Sequence, residues 1–160
     1  MDVLKVDLRD ARPDEMDAVR GLLREYERGL AVDLCFQDFD GELERLPGDY
    51  AGVSRGALLV AVRGEEIVGC VALRSHRGAT CEMKRLYVRP EVRGDGLGRR
   101  LAETIIARAG SLGYERMLLD TLASMQAAQA LYRSLGFVET SAYRSNPVPG
   151  AAFFELKLRY

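Results

Sequence analysis

Leu86-Tyr87-Val88-Arg89-Pro90-Glu91-Val92-Arg93-Gly94-Asp95-Gly96-Leu97-Gly98-Arg99-Arg100-Leu101 is the stretch on which the reading of this chain turns. An apolar strand stops at Pro90, which cannot donate to a β-ladder. A loop with Gly94, Gly96 and Gly98 at alternate positions then runs straight into Leu97, Leu101, Ile105, Ala109 and Leu112, which share one helical face. Glycine permits positive φ and close backbone approach, so successive N–H groups can converge on one anion. The helix start adds its partial positive charge, and Arg93 and Arg99 add full ones. The stretch reads as a cradle for a phosphate or pyrophosphate.

Other phosphate motifs fail on spacing. A dinucleotide fingerprint needs a third glycine at Arg99 or Leu101, and a P-loop needs Gly-Lys-Ser/Thr where this chain has Gly98-Arg99-Arg100. The Arg93-Gly94-Asp95 tripeptide lies within this same turn and carries no adhesion signal of its own.

Upstream, Leu4, Val6 and Leu8 alternate with charged residues as in a half-buried strand, and Pro13 opens a helix with Met16, Val19, Leu22, Leu23, Tyr26 and Leu30 inward. A short helix before Pro47-Gly48 precedes two apolar runs, Ala57 to Val62 and Ile67 to Leu73, joined through Arg63-Gly64-Glu65-Glu66 as a hairpin. A fourth strand covers Cys81 to Val88, with Glu82, Lys84 and Leu86 expected on one face by strand alternation. Downstream, Gly113 caps the long helix and a strand runs from Arg116 to Thr121. A helix with Ala128, Leu131 and Leu135 inward follows, and Phe137-Val138 and Phe153 to Leu158 supply the last strands. The order predicts a mixed α/β sandwich around one sheet, in a single domain spanning residues 1–160.

The 160 residues are 48% hydrophobic and 29% charged, the balance of a globular protein. With 23 Lys and Arg against 24 Asp and Glu, the net charge of −1 provides no general attraction to nucleic acid or to a membrane surface, so an anion must be held locally. Cys35, Cys70 and Cys81 lack paired metal or redox spacing and read as small core residues in a reducing compartment. His76, the sole histidine, sits in a polar turn, and no metal site is expected. No leader or membrane-spanning run is legible at the N-terminus or elsewhere, and the expected location is cytoplasmic.

Two motifs together identify a family resemblance. Arg93, Gly96 and Gly98 occupy the defining places of the Arg/Gln-x-x-Gly-x-Gly/Ala acetyl-coenzyme A loop of the GNAT acetyltransferases. Ala130-Leu131-Tyr132-Arg133-Ser134-Leu135-Gly136-Phe137 is similar to the family's Ala-Leu-Tyr-x-x-x-Gly-Phe landmark, and one helix and one strand separate the two. The resemblance extends from the Val3 strand to Leu158. It implies the GNAT acyl-CoA N-acyltransferase fold, a mostly antiparallel sheet with helices on both faces and a splay between the fourth and fifth strands. It also implies acetyl-CoA as acyl donor and direct attack by an amine in a ternary complex.

On that resemblance the pyrophosphate lies on the backbone of Arg93, Gly94, Asp95, Gly96, Leu97, Gly98 and Arg99, and the pantetheine arm runs along Leu86, Tyr87 and Val88 as an added strand. A backbone N–H near Leu86 would face the thioester carbonyl. Tyr132 would protonate the departing sulfur. Glu82 is the first expectation for a general base and Asp120 the second, since an attacking amine must lose a proton. Many relatives carry Asn where this chain has Met125, and Ser124 or Gln129 is expected to take over that contact with the arm.

Acceptor specificity resembles a lid problem, with Tyr26, Phe36 and Tyr143 as expected wall residues and Arg144 or Arg24 as candidates to meet a carboxylate. The expected acceptor is a small-molecule amine; a protein amine, or acyl-CoA sensing without catalysis, are the other readings. Homodimers occur among similar proteins, but composition marks no interface.

Overall fold

The structure is a computed structural model and describes residues 5–30 and 38–158. Among the described residues seven strands form one sheet in the order β1-β2-β3-β4-β5-β7-β6. They are β1 (Val6–Asp10), β2 (Ala57–Arg63), β3 (Glu66–Arg77), β4 (Thr80–Val88), β5 (Arg116–Thr121), β6 (Val138–Thr140) and β7 (Ala152–Lys157). The helices are α1 (Met16–Leu30), α2 (Phe39–Arg45), α3 (Leu97–Ser111) and α4 (Gln126–Ser134). Every neighbouring pair is antiparallel except β4 with β5. The mixed α/β architecture with a mostly antiparallel sheet is therefore as the sequence predicts.

The two apolar runs are continuous rather than alternating because helices cover both faces of the sheet. Leu59 and Ala61 of β2 join a core beneath α3 that includes Leu101, Ile105 and Phe154. Leu58 and Val60, which alternate with them along the strand, join a second core beneath α1 and α2, with Val19, Leu22, Leu23, Phe39 and Leu43. The α1 and α3 faces read from helical spacing are the buried ones.

The parallel β4–β5 pair is short. Its register holds for Thr80↔Arg116, Cys81↔Met117 and Glu82↔Leu118, and among the described residues no strand pairs with β4 on that side beyond Glu82. The strands splay from there, as expected.

One expectation about β4 fails. Glu82, Lys84 and Leu86 do not share a face, because Arg85 adopts φ 61° and the register with β3 slips between Cys70 and Ala72. This bulge inverts the strand: Leu86 packs on the α3 core and Tyr87 on the α1 core. A left-handed conformation costs a non-glycine residue roughly 1–2 kcal/mol. It is held in place by the buried Arg85 guanidinium, which donates to both Glu42 carboxylate oxygens at 2.9 and 2.8 Å. The same guanidinium lies 4.9 Å from the centre of the Phe39 ring.

Arg85 and Glu42 side chains are 3% and 13% exposed, so removing one charge strands the other in a dry site. Glu42→Gln keeps the shape and is expected to lower stability by about 3 kcal/mol, the usual consequence of breaking a buried pair. Urea denaturation of the variant measures this, and a loss below about 1 kcal/mol would contradict the role given to the pair.

Candidate functional site

A cavity lies at the splay, lined by residues from both faces of the sheet. Tyr26 and Leu30 of α1 line it on one side, Met125 and Tyr132 from the start and middle of α4 on the other. Its walls are Met83, Lys84, Arg85 and Leu86 of β4 and Leu119, Asp120, Thr121 and Leu122 at the end of β5, and Asn146 also lines it.

The glycine loop stands beside it. Gly94 and Gly96 have φ 102° and 75°, and nothing lies within 4 Å of where their Cβ atoms would be, so the backbone is open to a ligand. Gly96 is the N-cap of α3, whose first-turn N–H groups have no intrahelical acceptors. Leu97 anchors this end in the core, while Asp95 is exposed. Arg93 does not extend into the cradle. Its Nε donates to the Val88 carbonyl at 2.7 Å and its guanidinium lies over the Tyr87 ring, so it shapes the loop instead. Arg99 is at the helix start, bonded to Ser134 Oγ and 3.7 Å from Glu103.

Tyr132 is buried, with its ring edge-on to Phe137 at 5.8 Å and tilted against Phe154. Burial first, then the nearby Tyr26 and Asp120, pushes its hydroxyl pKa above the ordinary value, so the oxygen keeps its proton. Thr121 was not singled out from sequence. Its Oγ1 is buried with no hydrogen-bond partner beside the same cavity, and an orphaned hydroxyl there suits a polar ligand. Of the residues expected to replace an Asn at position 125, Gln129 is used within the chain, donating from Nε2 to the Leu122 carbonyl at 2.8 Å, and Ser124 is exposed.

The two candidate bases differ sharply. Glu82 is fully buried and accepts from Arg74 Nε at 2.8 Å, from Tyr143 Oη at 2.6 Å and from Arg144. Burial would raise its pKa, but Lys84, Arg74 and Arg144 with the Tyr143 bond overcome that and hold the carboxyl at about 2. The carboxylate expected as first choice is thus a structural anion with little tendency to take a proton at neutral pH. Asp120 instead lines the cavity, and Asn146 Nδ2 donates to its Oδ2 at 3.2 Å. Asn146 is itself oriented by the Val148 N–H, which donates to its Oδ1 at 3.0 Å. One segment, 143–148, therefore holds both carboxylates.

Among the acceptor-side residues, Tyr26 lines the cavity and meets Tyr87 edge-on at 5.7 Å, while Tyr143 is bound to Glu82. Phe36 lies outside the described residues, as does Cys35. Arg24 is paired with Asp40 at 2.7 Å. His76 is exposed and edge-on to Tyr143. Cys70 and Cys81 are buried thiols pushed up to about 12 by burial, and among the described residues no group of His, Cys, Asp and Glu is placed to hold a metal ion. No described helix is long and apolar enough to cross a membrane.

Residues 16–137 match the sequence model of the Acetyltransferase (GNAT) family. An uncharacterised N-acetyltransferase of Schizosaccharomyces pombe is 42% identical over 149 residues, 91% of this chain and 90% of that one. The N-acetylaspartate synthetase of Danio rerio is 35% identical over 126 residues, 78% of this chain and 45% of the relative. The yncA structure from Salmonella typhimurium, which contains its cofactor acetyl-CoA, superposes with a TM-score of 0.73 at 21% identity, over 96% of this chain and 94% of that one. The chain belongs to the GNAT acetyltransferase family and is an acetyl-CoA-dependent N-acetyltransferase.

Glu82 also gives the fold an acid limit. Its contribution to stability is complete above the ordinary carboxylate value of 4.5 and is lost as pH falls toward about 2, because the unfolded chain binds the proton first. Denaturation midpoints measured across that window should fall in the wild type and show a flatter slope in Glu82→Gln.

Proposed function

We propose that the protein transfers the acetyl group of acetyl-CoA to the amine of a small molecule by direct attack, with both substrates bound together. The observation that supports this reading best is the cavity at the splay. It is lined by Met125 and Tyr132 from the α4 side and by Tyr26 and Leu30 from the α1 side, so a donor and an acceptor approaching from opposite faces would meet between β4 and β5. Confinement by Tyr26 and the 143–148 segment favours a small acceptor over a protein chain. The N-acetylaspartate synthetase among the relatives, by its name, makes an N-acetylated amino acid, in keeping with an acceptor of that size.

In this reading the backbone from Arg93 to Arg99 binds the pyrophosphate, with Gly94 and Gly96 giving it access and the α3 N-terminus attracting it. The backbone of Leu86 to Val88 that β5 leaves unpaired binds the pantetheine arm, and the Thr121 hydroxyl gains a partner there. Acetyl-CoA supplies the thioester. The amine nitrogen first forms the new C–N bond, and the C–S bond then breaks. An amide N–H near Leu86 stabilises the oxyanion between those events. Asp120 accepts the proton released by the amine, and Tyr132 gives its own to the departing thiolate. Glu82 takes no part in proton transfer and instead fixes Arg74, Tyr143 and Arg144.

Coenzyme A release measured against amino acids, polyamines, aminoglycosides and short peptides tests the reading, beside a thermal-shift titration with acetyl-CoA. A shift with turnover on a small amine is the expected result. A shift with turnover only on peptides, or with none, would overturn the small-molecule assignment. Tyr132→Phe and Asp120→Asn should each lower kcat by about 100-fold while the acetyl-CoA thermal shift persists. Thr121→Val removes a buried hydroxyl that the free protein does not pair, so it should leave the melting temperature unchanged or higher and raise the KM for acetyl-CoA.

A further inference from the structure

Asp120 is the next-to-last residue of β5 and lines the cavity beyond the last β4–β5 pair, Glu82↔Leu118. A carboxylate at such a strand end has freedom about its side-chain torsions. A proton acceptor must lie within hydrogen-bond reach of the attacking amine, and a displacement of about 1 Å can cost as much as about 100-fold in rate. Asn146 reaches this carboxylate, donating from Nδ2 to Asp120 Oδ2 at 3.2 Å. The orientation of the amide follows from its neighbours. The Val148 N–H can only donate, so it takes the amide oxygen, at 3.0 Å, and the amide nitrogen faces an ionised carboxylate that can only accept. Asn146 also lines the cavity, so this contact belongs to the chamber wall.

The loop that carries Asn146 is fixed on both sides of it. Before it, Tyr143 and Arg144 are bound to the buried Glu82. After it, Gly150 takes φ 77° and approaches so closely that a Cβ on it would stand 2.8 Å from the Ala123 Cβ. The chain then enters β7, where Ala152 pairs with Thr121 and Phe153 with Asp120 itself. Asn146 is thus pinned beside the end of β5 by contacts that flank it in sequence. Its amide is neutral, so it fixes the position of a carboxylate without setting a cation beside it. Glu82, held by Arg74 of β3 and by Tyr143 and Arg144 of this loop, shows the opposite treatment.

From this geometry we infer that Asn146 is a positioning residue for acetyl transfer, holding Asp120 Oδ2 so that Oδ1 meets the attacking amine. The inference rests on the assignment of Asp120 as proton acceptor and deepens it. Asn146 exchanges no proton. It acts through Asp120, so its loss lowers the rate of the chemical step and leaves the binding of acetyl-CoA as it is.

Coenzyme A release should be followed with acetyl-CoA and the small amine of highest turnover in the panel above. The proteins compared are the wild type, Asn146→Asp, Asn146→Ala, Asp120→Asn and the double variant Asp120→Asn with Asn146→Ala. Asn146→Asp separates the two roles of the side chain, because an aspartate still accepts from the Val148 N–H and keeps the turn but has no N–H for Asp120. Its thermal shift with acetyl-CoA should match that of the wild type while kcat falls about tenfold or more. Asn146→Ala should also lower kcat about tenfold with the KM for acetyl-CoA unchanged. In the Asp120→Asn background the same alanine substitution should change kcat less than about twofold, because its effect passes through Asp120. A wild-type kcat in Asn146→Asp would overturn the inference and leave Asp120 as proton acceptor. So would an alanine effect as large in the Asp120→Asn background as in the wild type. Loss of the acetyl-CoA shift in Asn146→Asp would assign the residue to the fold and overturn the inference as well. A wild-type kcat in Asp120→Asn, or no turnover on any amine, overturns the underlying reading and the inference together.

Discussion

Arg85 carries its backbone at φ 61°, a conformation that a side chain resists, because its guanidinium is clamped by Glu42 and rests on Phe39 of α2. Much of the site's geometry depends on that clamp. The bulge adds one residue to β4 opposite β3, so the strand presents opposite faces before and after it. Before it, β4 gives Glu82 and Lys84 to the α1 side; after it, Leu86 turns to the α3 side and Tyr87 to α1. A regular strand would have placed Leu86 among the charges. The sheet thereby offers polar chemistry on one side of the splay and an apolar wall on the other, from a single strand.

The polar side is organised by the last part of the chain. Tyr143 and Arg144 reach Glu82, and Asn146 reaches Asp120, so a segment between β6 and β7 sets the electrostatics of residues on β4 and β5. Glu82 holds three donors in place as a buried anion, and Asp120 is left as the carboxylate that lines the cavity. Two acids near one splay are thus differentiated by environment, one fixed as an anion by cations and the other facing the open chamber.

The architecture was legible because its signals are local. Alternation, helical spacing, Pro90, Gly96 and Gly113 each mark an element or its end, and the glycine loop with the Tyr132 landmark fixed the family. Strand alternation, however, assumes a regular pleat, and nothing in Lys84-Arg85-Leu86 announces a left-handed arginine, whose cause is Glu42, 43 residues away in sequence. The rank order of Glu82 and Asp120 was illegible for the same reason, since Arg74, Tyr143 and Arg144 come from other elements. Thr121 carries no pattern at all; only its burial without a partner distinguishes it.

The two cores also divide the labour of the chain. The α3 core underlies the glycine loop and Tyr132, whereas the α1 and α2 core underlies Tyr26 and the Arg85 clamp. The sheet separates them. Substitutions on the α1 side can therefore repack that core while the α3 core stays as it is, provided that Glu42 and Phe39 of α2 keep their hold on Arg85. One arginine thus ties two otherwise separate halves of the molecule together.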